Sequence, residues 1–257
     1  YYLFRAFTFI TGKISEKSLY RLSSFIHFLL FKIIGYRKNT SIENLKKSFP
    51  EKTDNEINTI AENYYQNLCD ILLETFASYR HTERIIHEKR FRISNPEILN
   101  PYTSANKKII LIAGHIGNFE IGAISLPSQL KIDVYSVFKP LTNSVLNDYI
   151  FSERTRTGLH LSPIKGLRQL ILEMKSPSVL ALICDQSPSN IEKAHWVHFL
   201  NQDTAFIHGP AALAKELDAP LFYIYIQRIE RGRYEGKLQL ILNLPKDHTE
   251  QEITAMM

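Results

Sequence analysis

Lys108-Ile109-Ile110-Leu111-Ile112-Ala113-Gly114-His115-Ile116-Gly117-Asn118-Phe119-Glu120 is the stretch on which the fold turns. Its first residues form a short, continuous apolar run, the pattern of a strand buried on both faces. Gly114 and Gly117 then flank His115 and permit a tight turn with close backbone approach. Asn118 can cap a helix, and the residues from there to Leu130 read as one.

The same alternation continues toward the C-terminus. Ile132 to Phe138 reads as a strand, Asn143 to Arg156 and Gly166 to Lys175 as helices, and Val179 to Cys184 as the next strand. Gly209-Pro210 opens a helix to Leu217, with proline in its first turn. Leu221 to Gln227 and Lys237 to Asn243 close the series. Continuous apolar strands separated by helices predict an α/β fold with a mostly parallel central sheet covered on both faces. In such sheets, function sits at the carboxyl ends of the strands, where His115 falls.

Upstream the pattern is helical. Asp54 to Tyr79 carries Ile57, Ile60, Ala61, Tyr64, Leu68, Ile71, Leu72 and Thr75 at three-four spacing, with Thr53 or Asp54 as N-cap and Glu56 near the capping-box position. Before it lie two apolar segments, Tyr1 to Ile10 and Leu19 to Ile34. The uncharged run between Arg21 and Lys32 is 10 residues long. A bilayer span needs about 20, so this run is too short to cross alone. Nor does a small-residue cleavage site follow, as a signal peptide requires.

Charge distinguishes this end. The chain has 257 residues and a net charge of +5. The first fifty residues hold nine lysines and arginines against Glu16 and Glu43, a net +7, so the remainder is slightly acidic. Apolar helices flanked by cations fit an interfacial anchor on an anionic leaflet, and an ordinary buried helix of the domain is the competing reading. Nucleic acid fits less well, because the aromatics are mostly phenylalanines in apolar blocks and not platforms spaced among polar residues. Two cysteines without paired spacing exclude a disulfide framework and a zinc knuckle, and a reducing compartment fits. The sequence contains neither Gly-x-Ser-x-Gly nor Gly-x-Gly-x-x-Gly, which argues against a serine hydrolase and a dinucleotide fold.

His115 and Glu120 are the candidate chemical pair. Five residues of continuous helix would put them on different faces. They converge only if His115 lies on the turn and Glu120 points back, in which case the carboxylate orients the imidazole and supports it as it takes a proton. That is half of a nucleophile-activating triad, the nucleophile being supplied by the substrate. The bland alternative is a histidine satisfied by a turn carbonyl and a glutamate on a solvated helix end. His195 and His198 are three apart but have no third ligand nearby, so no metal is expected.

Several blocks in order resemble the lipid A biosynthesis (late) acyltransferase family, within the larger group marked by His-x-x-x-x-Asp/Glu. They are Asn44-Leu45 with Phe49-Pro50-Glu51, Gly114 to Glu120, Val137-Phe138-Lys139-Pro140, and Arg154-Thr155-Arg156 with Gly158. Lys165-Gly166, Asp185-Gln186, and His195 to Leu200 continuing to Gly209-Pro210-Ala211-Ala212-Leu213-Ala214 complete the set. The resemblance spans nearly the whole chain. It implies a glycerolphosphate-acyltransferase-like fold and transfer of a fatty acyl group from an acyl-carrier-protein (or CoA) thioester to a hydroxyl of a lipid A precursor, with no further cofactor. Lysophospholipid, amino-acid lipid or another glycolipid are alternative acceptors, and a non-catalytic lipid-binding relative or a thioesterase are alternative readings.

The resemblance also assigns roles. His115 is the expected general base, oriented by Glu120. Arg154 would bind or polarise an anionic or carbonyl group, with Arg156 as the competing choice, and Asp185 would support the site from a neighbouring strand end or simply cap a turn. Lys139, Arg156, Lys165 and Asn118 form the expected substrate-binding set. Lys139 stands where the family more often has arginine, keeping the charge but losing the bidentate fork. Asn201-Gln202 stands in place of a Phe-Gly type turn. The expected organisation is one acyltransferase domain over 1–257, with 1–80 helical and membrane-associating and 107–245 as catalytic core. The family's terminal segment is missing, which reads as truncation at the C-terminus. The expected location is the inner membrane, peripheral or monotopic, with the site on the cytoplasmic side.

Overall fold

The computed structural model describes residues 2–257. By internal packing the chain divides into two compact units, one of residues 81–195 with 205–257, the other of 2–80 with 196–204.

The first unit is the α/β part. Its strands are β1 (Phe91–Ile93), β2 (Lys108–Ala113), β3 (Asp133–Phe138), β4 (Leu159–Pro163), β5 (Ser178–Ile183), β8 (Leu221–Glu230) and β9 (Arg233–Leu242), in the order β1-β9-β8-β2-β5-β3-β4. All neighbours run parallel except β8 and β9, which are antiparallel. The helices include α5 (Glu83–Lys89), α6 (Asn100–Ser104), α7 (Phe119–Leu130), α8 (Ser144–Thr155), α9 (Leu167–Glu173), α10 (Gly209–Leu217) and α11 (Glu250–Met256).

Alternation along β2 shows why the apolar run had to be continuous. Ile109 and Leu111 enter one buried cluster with Ile121, Ile124 and Leu126 of α7. Ile110 and Ile112 enter another with Leu170 and Ile171 of α9, Ala211 and Ala214 of α10, and Ile253 of α11. Both faces of the strand are dry, and each fully buried Ile or Leu contributes about 2–3 kcal/mol of transfer free energy. The fold class is thus the mostly parallel, helix-flanked sheet that the sequence predicts. β4, the edge strand, gives no apolar run in the sequence, because Leu159-His160-Leu161-Ser162-Pro163 is short and half polar. β1, three residues long, α5 and α6 are similarly too short to show a period.

Register places the site. β2 and β5 pair in step from Lys108↔Ser178 to Ala113↔Ile183, and Cys184 N–H extends the ladder to the Ala113 carbonyl at 3.1 Å. Two residues beyond Ala113 is His115, and two beyond Ile183 is Asp185. Neighbouring strands lie about 4.8 Å apart, so this register sets the two side chains against each other.

The second unit is helical: α1 (Tyr2–Lys13), α2 (Glu16–His27) running into a π-helical segment Phe28–Ile34, α3 (Lys38–Ser48) and α4 (Asp54–Ser78). Thr53 caps α4 with the full capping box, its side chain accepting from Glu56 N–H while the Glu56 carboxylate accepts from Thr53 N–H. The Thr53 backbone N–H and then its hydroxyl, both donating to the Glu56 carboxylate, hold that carboxyl below its ordinary pKa.

This bundle buries polar groups beside its apolar clusters, in which Leu19, Leu73 and Ala77 pack together, as do Phe31, Ala61 and Tyr65. Thr8 and Thr11 of α1 are buried, their hydroxyls satisfied by carbonyls of their own helix. Ser23 of α2 is buried on Asp70 of α4 at 2.5 Å, Gln66 bonds both, and Tyr20 donates to Glu74 at 3.1 Å. Meanwhile Leu3 and Ile10 of α1 are 89% and 55% exposed, and Ile33 and Ile34 are each 65% exposed. Among the described residues no helix is long and apolar enough to cross a membrane.

The remaining two strands, β6 (His195–Phe199) and β7 (Gln202–Phe206), form a separate hairpin.

Candidate active site

His115 lies on the turn between β2 and α7. Gly117 has φ +57, and a Cβ there would sit 2.7 Å from Ile226 Cγ2, so only glycine fits both the backbone and the space. Asn118 caps α7 as expected, its Oδ1 accepting from Ile121 N–H at 3.2 Å. Its side chain is completely buried and serves the helix end.

One carboxylate grips His115 twice. Asp185 Oδ2 accepts the His115 backbone N–H at 2.7 Å, and Asp185 Oδ1 lies 2.6 Å from ring Nδ1. An ionised carboxylate can only accept, so this contact fixes the neutral imidazole with its proton on Nδ1 and the lone pair on Nε2. Nε2 faces the Gln186 side-chain nitrogen at 3.4 Å. The Phe119 ring stands edge-on to the imidazole with centroids 4.7 Å apart. The His115 and Asp185 side chains each remain more than a third exposed, so the imidazole is open to solvent.

The expected His115–Glu120 pairing is therefore corrected: the carboxylate on the imidazole is Asp185, and Glu120 is taken by Arg154. Arg154 Nε donates to Glu120 Oε2 at 3.0 Å and Nη2 to Oε1, a bidentate pair joining the first turn of α7 to the last turn of α8. Glu120 lies in the first turn of α7, where its side chain meets Arg154 of α8. Arg156, the competing arginine, bonds Glu153 on its own helix at 3.2 Å.

Lys139 and Arg154 line a cavity of about 130 Å³ with Phe138, Leu141, Asn147 and Phe151. Lys165 is exposed on the turn after β4, and β4 is three strands from β2. That is about 14 Å sideways from His115, so the structure does not bring Lys165 into this group.

A narrow apolar cavity of about 50 Å³ runs between α7 and the sheet, lined by Ala113, Phe119, Ala123, Ala181, Ile183 and Ile226 among others. Its lining includes the residues two before and four after His115.

Cys184, next to Asp185, is no nucleophile. Burial, and then the charge of Asp185, push its thiol up to about 12, and the residue is closed to solvent. His195 bonds Thr254 at 2.8 Å and His198 bonds Asp203 at 3.2 Å, so the two turn to different partners. Among the described residues no group of three His, Cys, Asp or Glu is arranged to hold a metal ion.

A histidine set on a carboxylate at the carboxyl ends of two parallel strands, in an α/β fold that also carries a bidentate Arg–Glu pair, is an arrangement suited to an enzyme. The family model described as bacterial lipid A biosynthesis acyltransferase matches residues 1–257, the whole chain, and the protein belongs to that family. It is accordingly an acyltransferase of the lipid A biosynthesis type. No curated protein matches the chain significantly.

Proposed function

We propose that the protein moves a fatty acyl group from a thioester, carried by acyl-carrier protein or CoA, to a hydroxyl of a lipid A precursor, with His115 as general base and Asp185 as its orienter. The observation that carries this reading is the double hold of Asp185 on His115. His115 Nε2 takes the acceptor hydroxyl proton as the oxygen attacks the thioester carbonyl. The tetrahedral intermediate collapses by breaking the C–S bond, and the proton returns from Nε2 to the leaving thiolate. The products are an ester and a free thiol, and no cofactor takes part.

Arg154 spends two of its five N–H donors on Glu120 and keeps three for substrate. With Lys139 beside it in the same cavity, it suits an anionic group of the donor or acceptor. The apolar cavity under α7 suits the first carbons of the acyl chain, although its 50 Å³ is no more than about two waters' worth of volume. A longer chain enters only as side chains such as Phe119 move aside.

The apolar side chains that the helical unit exposes support association with the cytoplasmic face of the inner membrane. Buried hydroxyls and carboxylates with exposed Leu3, Ile10, Ile33 and Ile34 suit a bundle whose outer surface meets lipid. Cations on α1 to α3 suit anionic headgroups.

The test is incubation of purified protein with labelled acyl-carrier-protein thioester and lipid A precursor, products being identified by mass spectrometry. Acylated lipid from the native protein and none from a folded His115→Ala variant is the expected result. Free fatty acid without acylated lipid would assign a thioesterase, and transfer only to lysophospholipid, an amino-acid lipid or another glycolipid would reassign the acceptor.

A further inference from the structure

The β6–β7 hairpin exposes its apolar residues at its tip. Leu200 and Asn201 both have positive φ, 49° and 60°, as a two-residue type I′ turn demands. Asparagine suits that geometry, but leucine does not, and holding it there costs about 1–2 kcal/mol. Burial does not offset this cost, because Leu200 is 44% exposed. Phe199 beside it and Trp196 on the same strand are about half exposed. Among the described residues the hairpin is a sheet of two strands with no third strand paired to it.

This tip is also held in place. Asn201 Nδ2 donates to the Ser48 carbonyl at 3.0 Å, and Gln202 Nε2 reaches Ser48 Oγ at 3.5 Å. Ser48 ends α3, whose last turn carries Lys46, paired with Asp54, and Lys47. Residues 196–204 thus pack as part of the helical unit, with its exposed apolar positions and its basic helices α1 to α3. A strained, exposed leucine next to Phe199, on a hairpin that also exposes Trp196 and is tied to a cationic helix end, matches what the headgroup–acyl boundary of an anionic bilayer accepts.

We propose that the 196–202 hairpin tip is a second membrane-inserting element, distinct from the N-terminal helices, that seats Trp196, Phe199 and Leu200 in the boundary region of an anionic bilayer. It rests on the membrane association proposed above. The test uses the whole chain, in which Trp196 is the single tryptophan. Vesicles of phosphatidylethanolamine and phosphatidylglycerol, with and without brominated acyl chains, are added while emission and co-sedimentation are followed together.

The expected result is a blue shift of Trp196 emission on binding and quenching by the brominated lipid. Leu200→Asn, which removes the apolar tip while relieving the turn, is expected to melt no lower than the native protein yet bind roughly fivefold to tenfold more weakly. Co-sedimentation with neither shift nor quenching of Trp196 would overturn the insertion of the hairpin and leave the membrane reading standing. Failure to sediment with any vesicle would overturn both, while acyl transfer in detergent micelles would still report on the catalytic reading.

Discussion

Asp185 holds His115 at two points, the ring Nδ1 at 2.6 Å and the backbone N–H at 2.7 Å, across strands that share no sequence neighbourhood. The consequence is a fixed tautomer. Long-range ¹H–¹⁵N NMR on histidine-labelled protein is expected to show His115 protonated at Nδ1 when neutral, with Nε2 as the bare nitrogen. Asp185→Asn can present its amide nitrogen to Nδ1, and the tautomer preference is expected to weaken or reverse.

The Glu120–Arg154 pair is expected to act as a unit. Glu120→Gln and Arg154→Lys should each lower transfer by at least about tenfold, since lysine lacks the fork that two parallel bonds to a carboxylate require. The double variant should lose less than the product of the two single losses, because residues sharing one interaction are not additive. Independent, multiplying effects in the kinetic cycle would show that the pair does not act together.

Cys184 lies beside Asp185 but is expected to be inert. With its thiol near 12, only about one molecule in ten thousand carries the thiolate at pH 8. Iodoacetamide at that pH should leave activity intact over a time that fully modifies a free thiol, and Cys184→Ala should retain transfer. Rapid inactivation with label on Cys184 would contradict the burial that sets this pKa.

Gly117 tests the turn that carries the base. Alanine there must adopt φ +57 and bring Cβ to 2.7 Å from Ile226 Cγ2. Gly117→Ala is expected to reduce unfolding free energy by about 2 kcal/mol or more, measured by urea denaturation. Gly209, with open space around its Cβ position, serves as the control.

These residues also show what a sequence can and cannot disclose. The α/β alternation was legible because each strand is buried on both faces and so reads as an unbroken apolar run, as Ile109 to Ile112 does. The α4 cap was legible because Thr53 and Glu56 lie three residues apart. His115 was legible from its place at a strand end between two glycines. Its true partner was not, since the link between His115 and Asp185 is the β2–β5 register, and no local spacing encodes which strands become neighbours. Proximity along the chain favoured Glu120, which α7 instead directs to Arg154 on α8. The helical unit was half legible: its apolar residues could be counted, but which of them stay exposed, and the burial of Thr8, Thr11, Ser23 and Asp70, depends on helix packing. The hairpin's strain at Leu200 was equally hidden, because φ is a property of the folded chain.

In the proposed reaction the Asp185-oriented imidazole of His115 takes the proton in acyl transfer. Single-turnover transfer from labelled acyl-carrier-protein thioester to the lipid acceptor measures it most directly, comparing the native protein with folded His115→Ala and Asp185→Asn variants. Loss of general-base catalysis is worth about 10²–10⁴-fold, so both variants are expected to fall into that range with donor binding retained. Transfer by Asp185→Asn at the native rate, or by His115→Ala within a factor of a few, would contradict the account.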